Sequence, residues 1–390
     1  MKVAYILEGI KPGWLTYELE ALKDIGVEID INPNNPAAYS DFSPYAEPEE
    51  RSLGRDILNL TGRFLGGPSV TRNRFGRMRR YAGWRIAIST LAMAGGIKER
   101  GVGIIHAHFA TGPAASAMAV SELTGIPFAF TGHGYDLYRE PIDWGFHAEK
   151  CRKAAFVRCI SEFNRKHLVK KTGLDGENFH VVPCGVDTER FRPDEGADLT
   201  PDGDRIILAV AGLVPPKGIP FLLKAVSSDR VRRLKKKLVI VGDGPMRGEL
   251  TKEASMLGID VEFTGEVENR DILEYYRRAD LFVLPCITAP DGHHDGVPVV
   301  MMEAMAAGIP VISTNISGIP ELVDDGKSGI LVGEKDTKAI ADAVERLLTD
   351  DDLRRRFSIE GRKKVVKKFN IRDVAKSIKA LFAKYSTGGV

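Results

Sequence analysis

Short apolar runs recur along the chain, each bounded by Gly, Pro or charged positions and separated from the next by a stretch with room for a helix. In the first half they are VAYIL (3–7), VEIDI (27–31), GIIHAHF (103–109), IPFAFTG (126–132), AFVRCIS (155–161) and FHVVPCGVD (179–187). Helices are predicted from about Leu15 and near 112–124, and the alternation predicts a parallel α/β sheet. The second half repeats the pattern with RIILAVAG (205–212), KLVIVGDG (237–244), VEFTG (261–265), LFVLP (281–285), PVIST (310–314) and GILV (329–332). Two sets of strands predict two Rossmann-like, doubly wound domains, and such sheets place ligands beyond their strand carboxyl ends. The aperiodic, Pro- and Asp-rich stretch 187–204 reads as the linker between a first domain over 1–190 and a second over 204–369. Residues 33–100 interrupt the first half with a Pro-rich, acidic and then basic excursion, too long for an ordinary connection; it reads as a functional insertion or a lid.

Length agrees with that division, since 390 residues exceed one ordinary core and suit two. A hydrophobic content of 43% with 28% charge describes a globular protein, and no apolar run reaches the roughly 18 to 20 residues that span a bilayer. MKVAYILEGIKPGWL passes directly into a turn and a helix without a small-residue cleavage site, so it reads as a first strand and the expected location is cytoplasmic. Cys151, Cys159, Cys184 and Cys286 form no C-x-x-C unit and read as reduced, structural thiols. The net charge of +2 is nearly balanced, but 63–85 carries many Arg, no acid, and interleaved Phe64, Phe75, Tyr81 and Trp84. Arg77, Arg79 and Arg80 with Trp84 suit a phosphate-bearing, membrane-held acceptor and a peripheral place at the inner face of a membrane. A solvated pair of basic helices explains the same segment equally well. Nothing there reads as a nucleic-acid recognition element, so no nucleic-acid partner is expected.

The densest chemistry lies in 291–323, DGHHDGVPVVMMEAMAAGIPVISTNISGIPELV. Pro298 suits the first turn of a helix and Gly308 suits its end, which predicts a helix over roughly 298–307. The N–H groups at its start, reached through Gly296, Val297, Pro298 and Val299, offer a partial positive charge to a diphosphate. Asp295 precedes the helix and Glu303 lies within it, with seven residues between them. Carboxylates bind hydroxyl pairs well, which suits a sugar and a ribose. The plainer alternative is that Asp295 caps the helix and Glu303 merely occupies one of its faces.

The run EAMAAGIPV (303–311), preceded at the right spacing by Asp295, resembles the donor-site signature of glycosyltransferase family 4, retaining enzymes of the GT-B fold. The first acid there is usually Glu, and DGHHDGVP in its place is similar to the branch that builds exopolysaccharides of the colanic acid type. The resemblance implies two Rossmann-like domains facing a central cleft, with 370–390 crossing back to the first, acceptor-side domain. It implies transfer of a sugar from a nucleoside diphosphate to a saccharide or lipid-linked acceptor, without cofactor or metal. AGLVPPKG (211–218) resembles the family's G-R-L-x-x-x-K-G loop and assigns Lys217 to the diphosphate. The family's Arg is replaced at Ala211 and Gly212, which leaves Arg247, after the GDGP turn whose Pro245 is expected to open a helix, as the second cation. TGHGYD (131–136) assigns His133 to the donor sugar or its phosphate as a hydrogen-bond donor. Gly9 and Gly13 occupy the first strand-to-helix turn, EGIKPGW, where relatives often have a Gly-Gly pair touching donor phosphate and acceptor; that pair is absent, as in the exopolysaccharide branch, which leaves Gly13 as the expected contact. SEFNRKHL (161–168) marks a helix start with Ser161 as its cap, and CGVD (184–187) matches N-G-V-D with Cys184 for Asn.

Competing readings follow from single features. His106 and His108 share a strand face, but no third ligand follows, and His293 with His294 are no better as metal ligands. Two Rossmann-like halves would suit an NAD-dependent oxidoreductase, yet the first turn, EGIKPG, lacks G-x-G-x-x-G spacing. A sugar-nucleotide epimerase of the same fold would keep the donor site and need no acceptor.

Overall fold

The computed structural model describes residues 1–7, 13–33, 90, 93–193 and 205–387 of the 390-residue chain. Arg77, Arg79, Arg80 and Trp84 and most of the expected linker lie outside these residues. The chain forms two compact units: Met1–Leu137, Ile142–Val182 and Ala375–Val390 make one, and Tyr138–Pro141 with Pro183–Val374 make the other.

The first unit holds β1 (Lys2–Leu7), α1 (Gly13–Asp24), β2 (Glu28–Pro33), β3 (Ile104–His108), α2 (Gly112–Thr124), β4 (Phe128–Gly132), α3 (Trp144–Lys153), β5 (Phe156–Cys159), α4 (Glu162–Thr172) and β6 (Phe179–Val181). Its sheet is parallel in the order β2-β1-β3-β4-β5-β6. The interior strands are buried throughout, as sheets covered on both faces require. Local chemistry sets the helix limits. Pro113 sits in the first turn of α2 and Gly125 ends it at φ 78°. Ser161 caps α4 by accepting from Asn164 N at 3.1 Å, as the sequence predicts. FHVVPCGVD is strand only over Phe179–Val181, because Pro183 soon removes the ladder donor.

The second unit holds β7 (Arg205–Val210), α5 (Ile219–Ser227), β8 (Lys236–Val241), α6 (Arg247–Leu257), β9 (Val261–Gly265), α7 (Ile272–Arg278), β10 (Leu281–Leu284), α8 (Val299–Ala306), β11 (Val311–Thr314), β12 (Gly329–Val332), α9 (Thr337–Thr349) and α10 (Asp351–Lys368). Its parallel order, β12-β11-β10-β7-β8-β9, is that of a dinucleotide-type doubly wound sheet. The last helix, α11 (Ile371–Tyr385), begins in the second unit and continues in the first. There Phe382 packs edge-on to Tyr5 and His106, with ring centroids 6.2 and 5.3 Å away.

Strand order reverses between β7 and β10 in the second sheet and between β1 and β3 in the first. At such switch points the loops leaving the two central strands diverge and open a crevice at the strand carboxyl ends.

Candidate functional site

In the second unit the loop after β7 and the loop after β10 border the switch point. A single 3-10 turn, Pro215–Lys217, is followed by Gly218 at φ 66°. A Cβ there would lie 1.9 Å from Pro285 O, so only glycine lets the two loops meet. Ile287 N then donates to Pro216 O at 2.8 Å. This close approach delivers Lys217 Nζ to both oxygens of Asp295, at 2.8 and 2.7 Å. Burial disfavours the ammonium, but the Asp295 charge and hydrogen bond outweigh it and raise the Lys217 pKa. The buried Cys286 thiol donates to the same carboxylate at 3.4 Å. Burial, then the Asp295 charge, push that thiol well above its usual range.

Asp295 therefore pairs with Lys217 and does not cap α8, which corrects the capping half of the plainer reading. The cap position belongs to Pro298, whose side chain offers no acceptor, and helical geometry starts at Val299. Gly296, Val297 and Pro298 are buried beneath this start. Gly296 O accepts from Gly318 N at 3.1 Å and from Ser317 Oγ at 3.0 Å, which holds the turn. Glu303 lies four residues into α8, roughly 6 Å along its axis. It is 8% exposed and accepts from Tyr276 Oη at 2.7 Å. Burial raises its pKa to about 7 despite the lowering by Tyr276 and the Arg190 charge.

The acidic loop is braced from outside the sheet. Tyr138 stacks on His294 at 3.8 Å, Arg139 pairs with Asp291 at 3.0 Å, and Glu140 N donates to Asp291 O at 2.9 Å. One strand over, the GDGP turn includes Gly242 at φ 126°, where a Cβ would meet Ala211 O at 2.0 Å. Pro245 does not open the following helix; α6 starts at Arg247, after a tight turn in which Arg247 N donates to Gly244 O at 3.0 Å. Arg247 is half-exposed, pairs with Asp243 at 3.1 Å, and donates to Phe263 O at 3.1 Å.

In the first unit, the strand ends around the other switch point carry a buried polar chain. Arg158 Nη1 donates to Glu18 Oε2 at 2.6 Å, and Glu18 Oε1 lies 3.2 Å from His108 Nε2. His108 Nδ1 and His133 Nε2 are 3.0 Å apart, and their rings stack. Burial alone would raise Glu18, yet Arg158 and then His108 hold it well below the carboxylate range. Burial, followed by the charge of His108, pushes His133 well below its ordinary value. His106 Nε2 lies 2.9 Å from Thr131 Oγ1, so His106 and His108 serve separate hydrogen-bond partners rather than a shared ion. Asp136, three residues beyond His133, accepts from His133 N at 3.0 Å and from Ala110 N at 2.6 Å, and Lys150 Nζ donates to Ala110 O. These bonds hold the turn in which Phe109 adopts φ 75°. Burial raises Asp136 to about 6 and lowers Lys150 to about 8. Gly13 is exposed at the first position of α1.

The structure thus brings Lys217 and Asp295 together in the second unit, where Glu303 is held separately on α8 by Tyr276, and His133 belongs to the first unit. Sequence reading missed Glu18, Arg158, Tyr276 and Asp136. Only Asp136 carried a signal, its short spacing from His133. Among the described residues no three His, Cys, Asp or Glu side chains cluster as a metal site, and no helix is long and apolar enough to cross a membrane.

Comparison with known proteins places these features in a family. Residues 191–364 match the model of glycosyl transferases group 1, and residues 43–190 match that of Glycosyltransferase Family 4. The chain is 38% identical over 205 residues to a GDP-mannose-dependent alpha-(1-6)-phosphatidylinositol monomannoside mannosyltransferase of Mycobacterium tuberculosis, a match covering 50% of this chain and 53% of that one. It thus spans about half the length of that relative. It is 32% identical over 284 residues to a Salmonella typhimurium protein named as colanic acid biosynthesis glycosyltransferase WcaL, covering 70% of this chain and 69% of the other. The fold is similar to that of Anabaena Alr3699/HepE, solved in complex with UDP-glucose: the TM-score is 0.75 at 16% identity, over 98% of this chain and all of that one.

Proposed function

This chain belongs to the group 1 and family 4 glycosyltransferases, and on that premise we propose that it moves a sugar from a nucleoside-diphosphate sugar to an acceptor hydroxyl with retention of anomeric configuration. The carrying observation is the Lys217–Asp295 pair set at a switch point, with Asp295 in the loop that leads into α8, whose cap position has no side-chain acceptor.

In the reaction the bond from the anomeric carbon to the diphosphate oxygen breaks and a bond to the acceptor oxygen forms on the same face. The acceptor proton passes to the departing phosphate. The barrier is dominated by negative charge growing on the leaving diphosphate, which preorganised cations and N–H dipoles stabilise by several kcal/mol in other enzymes. Lys217, kept cationic by Asp295, and the start of α8 supply that stabilisation, and Arg247 adds a second charge. Asp295 is positioned to meet sugar hydroxyls, and Glu303 the ribose diol, with Tyr276 orienting its carboxylate. His133 takes the sugar contact that the family resemblance assigns to it. The acceptor is a saccharide or lipid-linked saccharide in surface polysaccharide or glycolipid synthesis, a reading supported by relatives named for mannosyl transfer to a phosphatidylinositol glycolipid and for colanic acid synthesis. Neither a metal nor a cofactor is required by this scheme.

Thermal stability measured with UDP, GDP, ADP, NAD and the corresponding nucleotide sugars, with and without chelator, tests the reading. A ligand at ten times its dissociation constant adds about 1.4 kcal/mol. Stabilisation by one nucleoside diphosphate that survives chelator is expected. Stabilisation by NAD alone points to an oxidoreductase, and donor turnover without any acceptor points to an epimerase; either result sinks the proposal.

A further inference from the structure

Each cation assigned to the diphosphate already holds a carboxylate. Arg247 Nη1 lies 3.1 Å from Asp243 Oδ2, and Lys217 Nζ reaches both oxygens of Asp295 at 2.8 and 2.7 Å. The first pair is half-exposed, so water screens it and another anion displaces Asp243 at little cost. The second is held more firmly, because its side chains are only 20% and 19% exposed and the Cys286 thiol also donates to Asp295 Oδ2, at 3.4 Å. Burial, followed by the Asp295 charge, keeps that thiol protonated. Lys217, Asp295 and Cys286 together therefore carry no net charge.

Their hydrogen-bonding capacity is nearly used up as well. Of the N–H donors on the Lys217 ammonium, two go to Asp295 and one remains. A carboxylate has roughly four acceptor positions. Lys217 fills one on each oxygen and Cys286 a second on Oδ2, which leaves one, on Oδ1. A diphosphate arriving alone meets an ion pair with a single N–H to offer, and gains more only by pulling Lys217 off Asp295. A sugar hydroxyl pulls from the other side, since it donates to the same oxygens that hold Nζ. An intact donor brings both groups at once, and each makes the other's task easier.

We propose that Asp295 is an internal competitor of the diphosphate for Lys217. The sugar of an intact donor draws Asp295 away and turns the ammonium toward the leaving group; once the sugar has been transferred, Asp295 takes Lys217 back and the nucleoside diphosphate is released. This rests on the reading of Lys217 as the diphosphate cation and of Asp295 as a sugar contact, and adds to it a reason for the product to leave.

Calorimetric titration of UDP, GDP and ADP into the full chain, its Asp295→Asn and Lys217→Met variants and the double variant tests the competition. Asp295→Asn should bind the nucleoside diphosphate about tenfold more tightly than the parent, and the gain should vanish when Lys217→Met is also present. A loosened fold would weaken binding, so a gain separates competition from structural damage; Asp295→Ala serves the same comparison if the amide variant does not fold. An equal gain with and without Lys217 would mean that Asp295 only repels the diphosphate through space, and the proposal fails. It also fails, with the reading of Lys217 intact, if Lys217→Met weakens binding in the Asp295→Asn background while Asp295→Asn itself brings no gain. If Lys217→Met changes nothing in either background, or if none of the three nucleotides binds any form, the reading of the site falls and the proposal with it.

Discussion

Lys217 and Asp295, 78 residues apart, form a two-pronged ion pair, with Nζ 2.8 Å from Oδ1 and 2.7 Å from Oδ2. Both side chains are about one-fifth exposed, at 20% and 19%, so solvent screens the pair only partly. Lys217→Ala should lower turnover at least tenfold, about 1.4 kcal/mol of transition-state stabilisation. Comparing it with Asp295→Ala and the double variant by chemical denaturation should show coupling of about 1 to 2 kcal/mol. Additive losses would mean that the pair contributes nothing beyond its separate residues.

Glu303 makes stability depend on pH in a definite direction. Its carboxyl is raised from 4.5 to about 7 in the fold, so the folded chain binds that proton more tightly than the unfolded one. The favourable contribution is complete below the unfolded value near 4.5 and is lost as pH climbs to about 7. Glu303→Gln, which does not titrate, should be more stable than the parent at pH 8 by about 3 kcal/mol, and the gap should close near pH 4. The same variant should lose at least tenfold in turnover. Denaturation curves whose difference stays constant across this range would remove Glu303 as the titrating group.

Gly218 connects the loop after β7 to α5 at φ 66°, with Pro285 O where a Cβ would go. Gly218→Ala should destabilise the second unit by about 3 kcal/mol or more, through backbone strain and overpacking together. Urea unfolding measures this; a loss under 1 kcal/mol would show that the two loops part at little cost.

All four cysteines are buried free thiols. Burial pushes Cys151 up to about 12 and holds Cys159 and Cys286 well above the usual thiol range. A thiol-specific colorimetric reagent at pH 8 should find no reactive cysteine in the native chain and four after denaturation. Rapid native labelling of even one would contradict the burial that also surrounds Asp295.

Sequence by itself determined the strands, since an apolar run bounded by Gly, Pro or charge can satisfy both faces of a covered parallel strand; VEFTG and GILV fall on β9 and β12 residue for residue. It also marked Ser161, whose cap role follows from its place just ahead of the helix pattern. Where Asp295 points was not legible. The spacing to Glu303 is local, but the partner is set by which loop lies beside it, and that follows from β7 and β10 being adjacent in the sheet. Tyr276 could not be tied to Glu303, nor Glu18 to His108, because a hydrogen bond between residues on different elements leaves no periodic trace in either segment.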